Sequence, residues 1–314
     1  MKKIILFADT GIDDAITIIY ALQNPKIDLI GVVSGYGNVD RYKTFRNASY
    51  LLQLGGRSDI PVIAGAMRPL NGDEPEFFPT IHGSEGLGPI RPPLSESRFR
   101  FRTNFSKLFQ LIKENHDDVT IVNVGRCTSL AIAWILAPDV MALVKDYYVM
   151  GGAFQVPGNA TPMAEANFYG DAVAANFVMQ HAPNLTVIPL NVTREALITP
   201  ALVEIINASQ TSQLGKLIKP MLDYYYEAYQ SLEPGIKGSP AHDLLALMAA
   251  VDDSNMLRYI RRTGSVEFES RHADGLSIAD LRPASVNCFG SNCPRIAVEL
   301  NYKKFVSNLL TTLT

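Results

Sequence analysis

Three carboxylates fall within six residues, Asp9-Thr10-Gly11-Ile12-Asp13-Asp14, directly after the apolar run Ile4 to Ala8. Carboxylates packed that closely repel and raise one another's pKa unless positive charge lies among them. A helix N-terminus supplies part of it, and Asp is a favoured cap, so Asp13 by itself reads equally well as an N-cap. All three at one strand end suit a hard divalent cation, because carboxylate oxygens are the preferred ligands of Ca²⁺ and Mg²⁺. Gly11 lets the backbone pass close to whatever is bound.

Four further stretches carry polar groups with chemistry. Gly35-Tyr36-Gly37-Asn38 reads as a ligand-contacting loop or as a plain turn. Asn123-Val124-Gly125 leaves the Val124 carbonyl free at a strand end, where a cation could take it. The densest stretch is Met150-Gly151-Gly152-Ala153-Phe154 followed by Gly158 to Asn167. There Asn159, Glu165 and Asn167 offer the donors and acceptors that sugar hydroxyls need, although Asn159 also fits a turn. Ser239-Pro240-Ala241-His242-Asp243 adds an acid that would complete an oxygen site, beside the one side chain whose unperturbed pKa lies near neutrality. His82, in His82-Gly83-Ser84-Glu85-Gly86-Leu87-Gly88, is the other candidate histidine; His116, His181 and His272 read as surface residues.

The elements that must position these groups alternate. Apolar strand-length runs at 3–8, 28–34, 60–64, 119–124, 146–150 and 185–190 are separated by helical patterns at 13–23, 46–54, 105–114, 128–136 and 171–181. Repeated βαβ units predict an α/β fold: an open, mostly parallel twisted sheet with helices on both faces. In such sheets ligands sit beyond the carboxyl ends of the strands, which is where the polar stretches fall. Residues 72–97, rich in Gly, Pro and acids, read as a surface loop. Residues 200–232 read as mostly helical and end near the aromatic string Tyr224-Tyr225-Tyr226-Glu227-Ala228-Tyr229. Short strands are expected from 264, a late strand at 296–300 and a closing helix at 304–313. No linker or internal repeat divides the chain, so residues 1–314 are expected to form one domain.

Composition limits the function. With 28 Lys+Arg against 31 Asp+Glu the net charge is -3, and no basic field exists to hold a phosphate backbone, so nucleic acid is not an expected partner. No apolar run approaches the roughly 20 residues that span a bilayer. Three cysteines (Cys127, Cys288, Cys293) are an odd number in a chain of 314 residues, which predicts free thiols and a cytoplasmic location.

Taken together, the motifs resemble the inosine-uridine-preferring nucleoside hydrolase family over most of the chain. Those that carry the resemblance are DTGIDDA from Asp9, Gly37-Asn38, HGSEGLG from His82, GGAF from Gly151, the GN, TP, AE and N elements between Gly158 and Asn167, and His242-Asp243. The resemblance implies a nucleoside hydrolase-like domain that cleaves the N-glycosidic bond of ribonucleosides to free base and ribose. It implies Ca²⁺ held by Asp9, Asp14, Asp243 and the Val124 carbonyl, with Asp9 also taking a proton from a cation-held water. Asp13 would bind the ribose hydroxyls, and Asn159, Glu165 and Asn167 would grip the rest of the sugar, with Asn38 lining the same site and Met150 packing by the ribose. His242 would protonate the leaving base, which His82, Tyr225 and Tyr229 would surround, the tyrosines from a helical lid. A small-molecule nucleoside is the implied partner, and a homodimer or homotetramer the implied assembly.

Two features depart from the family's pattern. Phe7 stands where an additional Asp is usual, and Thr10 where a Pro is; Arg126-Cys127 also replaces a smaller apolar pair. Competing chemistries lack their signatures. The second Asp of a haloacid-dehalogenase-type phosphatase would fall at Gly11, and neither a G-x-G-x-x-G nor a G-x-x-x-x-G-K-[ST] loop occurs. Cys288 and Cys293 lack the second pair a zinc site needs and read as ordinary thiols, and Cys127 reads as core rather than nucleophile. The alternative from another class is a non-catalytic nucleoside- or ribose-binding protein on the same fold.

Overall fold

The computed structural model describes residues 1–93, 104–116, 118–252, 254–282, 288–290 and 293–314; the last four residues of the 72–97 loop lie outside them. Strand β1 (Lys2–Ala8) carries branched and aromatic residues with period-two alternation: Ile4, Leu6 and Ala8 pack into one core cluster, Ile5 and Phe7 into another on the opposite face. A strand apolar on both sides belongs inside a sheet covered twice. Around it lie β2 (Ile27–Ser34), β3 (Val62–Ala64), β4 (Val119–Asn123), β5 (Asp146–Met150) and β6 (Leu185–Ile188). The sheet has eight strands in the order β3-β2-β1-β4-β5-β6, then Arg295–Leu300, then Leu257–Arg261. Every pairing is parallel except the last, which closes the edge with an antiparallel strand.

Strand order reverses between β1 and β4, so their carboxyl ends open a crevice at the topological switch point. The register sets Phe7 opposite Asn123, and the Val124 N–H donates to the Phe7 carbonyl at 2.8 Å. Asp9 and Val124, far apart in sequence, are thereby side by side.

Helix α1 (Ile12–Gln23) and the helix His242–Val251 cover one face. The helices Phe105–Glu114, Thr128–Leu136 and Ala172–His181 cover the other. His242–Val251 (HDLLALMAAV) is buried along nine of its ten residues, as a helix apolar on every side must be. Burying each of its leucines contributes roughly 1.5–3 kcal/mol, so the His-Asp pair at its first turn stands on a rigid post. Of the two departures, Phe7 is core, and Thr10 is fully buried, its carbonyl accepting from Asn47 Nδ2 and its hydroxyl without a partner. The helix α2 (Arg41–Leu54) starts five residues earlier than its apolar spacing indicates, because Asp40 caps it by accepting from the Tyr42 and Lys43 amides.

One expectation is overturned. Cys288 and Cys293 form a disulfide, with Cα atoms 5.7 Å apart; only Cys127 of the three is free, and it is buried. A count of cysteines across a large chain says nothing about a tight local turn that brings two within bridging range. The cytoplasmic expectation loses the support it drew from free thiols. No helix among the described residues is long and apolar enough to cross a membrane.

Candidate functional site

At the switch point the loop from Asp9 to Gly11 turns into α1, and Asp14 folds back on it. Its carboxylate accepts the Asp9 amide (3.1 Å), the Gly11 amide (2.9 Å) and the Asn38 side-chain amide (3.0 Å). Asp9 Oδ2 accepts the Asn38 amide at 2.7 Å. The end of β2 is therefore stitched to the acidic loop through Asn38.

Asp13, Asp14 and Asp243 each bring an oxygen within 4.8 Å of the others. Burial raises the pKa of all three and of Asp9 above the carboxylate range, and their mutual repulsion raises Asp13, Asp14 and Asp243 further. Asp13 Oδ1 is buried without a hydrogen-bond partner. The Val124 carbonyl is beside them and takes the Asn167 side-chain amide at 2.7 Å. Crowded, desolvated carboxylates with an orphaned oxygen fit a hard divalent cation, which would supply the charge they lack. The chemistry of these donors does not by itself select Ca²⁺.

The sugar-type groups converge on the same crevice. Glu165 caps the short helix Ala166–Tyr169: Oε1 accepts the Asn167 amide, and Oε2 the Gly152 and Phe168 amides. Gly152 sits at φ 86°, which lets the chain after β5 turn sharply onto that carboxylate. Asn167 Nδ2 also lies 3.4 Å from the Met150 sulfur. Asn159 is more peripheral, exposed, with Oδ1 accepting the Ala166 amide.

From Asp13 runs a chain of hydroxyls and imidazole. Tyr225 donates to Asp13 Oδ2 (3.3 Å), Tyr229 lies 3.5 Å from Tyr225 and 3.1 Å from His242 Nε2, and His242 Nδ1 lies 2.8 Å from Thr193 Oγ1. Burial lowers His242 to about 4, keeping its imidazole neutral at neutral pH. His82 is lowered to about 3 for the same reason. Its Nδ1 accepts the Ile12 amide, so the 3.8 Å approach to Asp13 is not an ion pair. Both tyrosines stand on the helix Ile218–Leu232, packed over the crevice as a roof. The cavity measures about 480 Å³ and is lined by every predicted site residue except Asp14, which is fully buried behind its wall.

Several residues of the site carried no motif. Thr193 orients His242, Leu190 and Arg194 line the wall, and Phe78 and Ile81 line the roof. Thr193 ends the short helix Leu190–Thr193 that follows β6, and nothing in the sequence around it marks it.

Gly37 offers a sharp test of this geometry. A β-carbon there would fall onto the Asp9 carboxylate, with Asp9 Cγ 2.5 Å away. Gly37→Ala is expected to displace Asp9 and lower turnover by about 10²-fold, the cost typical of a misplacement near 1 Å. Steady-state kinetics beside a melting curve check this; unchanged turnover would mean that Asp9 moves without consequence.

The open, mostly parallel sheet thus gathers buried acids, side-chain amides and two histidines at its switch point, in one cavity. The family model described as "Inosine-uridine preferring nucleoside hydrolase" matches residues 4–307, and the chain belongs to that family. It is 30% identical over 315 residues to the inosine-uridine preferring nucleoside hydrolase of Crithidia fasciculata, covering 99% of this chain and 97% of that one. It is 35% identical over 256 residues to the probable uridine nucleosidase 2 of Arabidopsis thaliana, covering 79% and 77%. The solved structure of a purine-preferring ribonucleoside hydrolase from Gardnerella vaginalis superposes with a TM-score of 0.90 at 30% identity, covering 99% of this chain and 98% of the other. A plant nucleoside hydrolase, the PpNRh1 enzyme, gives the same TM-score at 32% identity, over 100% and 99%. The protein is thus an enzyme of the N-ribosyl hydrolase class.

Proposed function

We propose that the protein cleaves ribonucleosides to free base and ribose, with Asp9 as general base and the Tyr229–His242 pair as the route of protons to the departing base. The observation that carries this is the meeting of two chemistries in one cavity: carboxylates and side-chain amides, and a hydrogen-bonded hydroxyl–imidazole chain that begins on Asp13.

Glycosidic hydrolysis passes through an oxocarbenium-like state, with positive charge growing on the sugar and negative charge on the leaving group. Asp13, Glu165 and Asn167 face the ribose, and preorganised carboxylates and amides stabilise the developing cation without reorganisation. A divalent cation, Ca²⁺ by family resemblance, would be held by Asp9, Asp14, Asp243 and the Val124 carbonyl and would supply positive charge that acidifies a neighbouring water. Asp9 takes the proton of the attacking water as it adds to the anomeric carbon. A proton taken from solvent by the His242 imidazole, which Thr193 orients through Nδ1, passes directly or by way of Tyr229 to the base nitrogen as the bond breaks, and the imidazole returns to its neutral form. Tyr225 and Tyr229 form the roof that excludes bulk water.

A panel of ribonucleosides assayed for free base, with and without EDTA, tests the reading. Base release that stops in EDTA and returns with Ca²⁺ supports it; saturable binding with no release would assign the protein to the binding alternative. Stability should follow the same charges. Carboxylates whose folded-state pKa is raised stabilise the fold below their unfolded pKa and lose that contribution as pH rises. In EDTA the melting temperature is therefore expected to fall between pH 4 and 8. Added Ca²⁺ should restore about 5–10 °C at pH 8 and much less at pH 4, as measured by differential scanning calorimetry.

A further inference from the structure

Arg126 follows β4 and the Val124-Gly125 turn, and it is buried, 6% exposed, beneath the site. Its guanidinium lies over the Tyr36 ring at 5.1 Å and the Phe78 ring at 5.7 Å, and both terminal nitrogens donate to the Glu76 carbonyl, at 3.2 and 3.1 Å. It presses so closely on Gly170 that a β-carbon there would collide with it. Three segments meet on this one side chain. Tyr36 precedes Asn38, Gly170 ends the helix that carries Asn167, and residues 76–78 lead into the roof turn Pro79–His82.

The roof turn has two anchors. On its downstream side Arg46 pairs with Glu85 at 2.6 Å and Asn47 Nδ2 holds the Glu85 carbonyl. Upstream, Phe78 donates its amide to the Asn38 carbonyl at 3.0 Å, and Arg126 grips the Glu76 carbonyl and the Phe78 ring. Phe78, Ile81 and His82 all line the cavity, yet Arg126 does not.

We propose that Arg126 is a positioning residue that clamps the 76–82 segment shut over the nucleoside site, acting through the Glu76 carbonyl and the Phe78 ring without touching substrate. A planar fork is required for this, since both nitrogens share one carbonyl while the guanidinium face stacks on two rings. Lysine keeps the charge but has neither the fork nor the plane. The positive charge also opposes the burial that raises Asp9, so charge and clamp must be separated.

The clamp rests on nucleoside hydrolysis only for its kinetic readout, so exchange at backbone amides is measured as well. In Arg126→Gln, hydrogen exchange at the amides of Phe78, Ile81, His82 and Gly83 is expected to speed up about tenfold or more, while the strands of the sheet are unchanged. KM for a cleaved ribonucleoside should rise about tenfold with kcat within about threefold. Arg126→Lys should show the same acceleration, and Phe78→Leu, which keeps the guanidinium but removes a ring, an intermediate one. Wild-type exchange in both Arg126 variants would overturn the clamp, whatever the activity. Recovery of wild-type exchange by Lys alone would replace it with a purely electrostatic role. No base release by the wild-type protein would instead count against the proposed function and leave the exchange result standing.

Discussion

Asp9→Asn is expected to lower kcat by about 10²–10⁴-fold, the range for removing a positioned general base, and to weaken divalent-cation binding. Asn keeps the volume and an oxygen for the Asn38 amide, which now donates to Asp9 Oδ2 at 2.7 Å, so the loop should keep its shape. What disappears is the negative charge and the proton acceptor. The carboxylate is held tightly enough for this to be diagnostic: the backbones of Gly37 and Gly125 crowd it from two sides, and Asp14 bonds its amide. Because burial already disfavours the ionised form, removing the charge should leave the melting temperature in EDTA unchanged or slightly higher. The experiment is kcat/KM for a cleaved ribonucleoside, cation affinity by calorimetric titration, and a melting curve on the same preparation. Activity within threefold of wild type together with intact cation binding would remove Asp9 from both of its proposed roles.

His242→Ala is expected to lower kcat by about 10²–10⁴-fold for natural nucleosides and by far less for a nitrophenyl riboside, whose leaving group departs without a proton. The contrast matters more than either loss. His242 is buried, bridged between Thr193 and Tyr229, and neutral at neutral pH, so it serves as one member of a hydrogen-bonded chain and not as a standing imidazolium. Tyr229→Phe breaks the same chain one link further on. It should reproduce the contrast at smaller amplitude if protons travel through the phenol, and have little effect if His242 reaches the base directly. Equal losses on both substrate types in His242→Ala would show that the residue shapes the cavity and does not deliver protons.

How far the sequence reached depended on the kind of information each feature needs. Strands and helices were legible because apolar periodicity is local: the alternation of β1 and the helical spacing of Ala15, Ile18, Ile19 and Leu22 are the burial pattern itself. The end points shifted where capping or a short turn decided them, as with Asp40 at the head of α2 and the break after Ile188. Asp9, Asp14, Asn38, Glu165, Asn167 and His242-Asp243 could be picked out because polar groups at the carboxyl ends of strands have few structural uses. Arg126, visible only as a departure from the family's pattern, and Thr193 could not be assigned a role. Nothing in their neighbours reveals that one is buried between two aromatic rings or that the other faces an imidazole.

By itself, then, the sequence determined the class of fold, the carboxyl-edge location of the polar stretches and most of the groups that line the cavity, since each is encoded within a few consecutive residues. The tertiary structure alone decided that Asp13 and Asp14 meet Asp243 from the far end of the chain. It also decided that Tyr225, Tyr229 and His242 join into one hydrogen-bonded line, and that Cys288 bridges to Cys293 instead of remaining a thiol. Those outcomes depend on strand order, helix crossing and the direction of a turn, which are set by how the whole core packs and not by any stretch of chain taken alone.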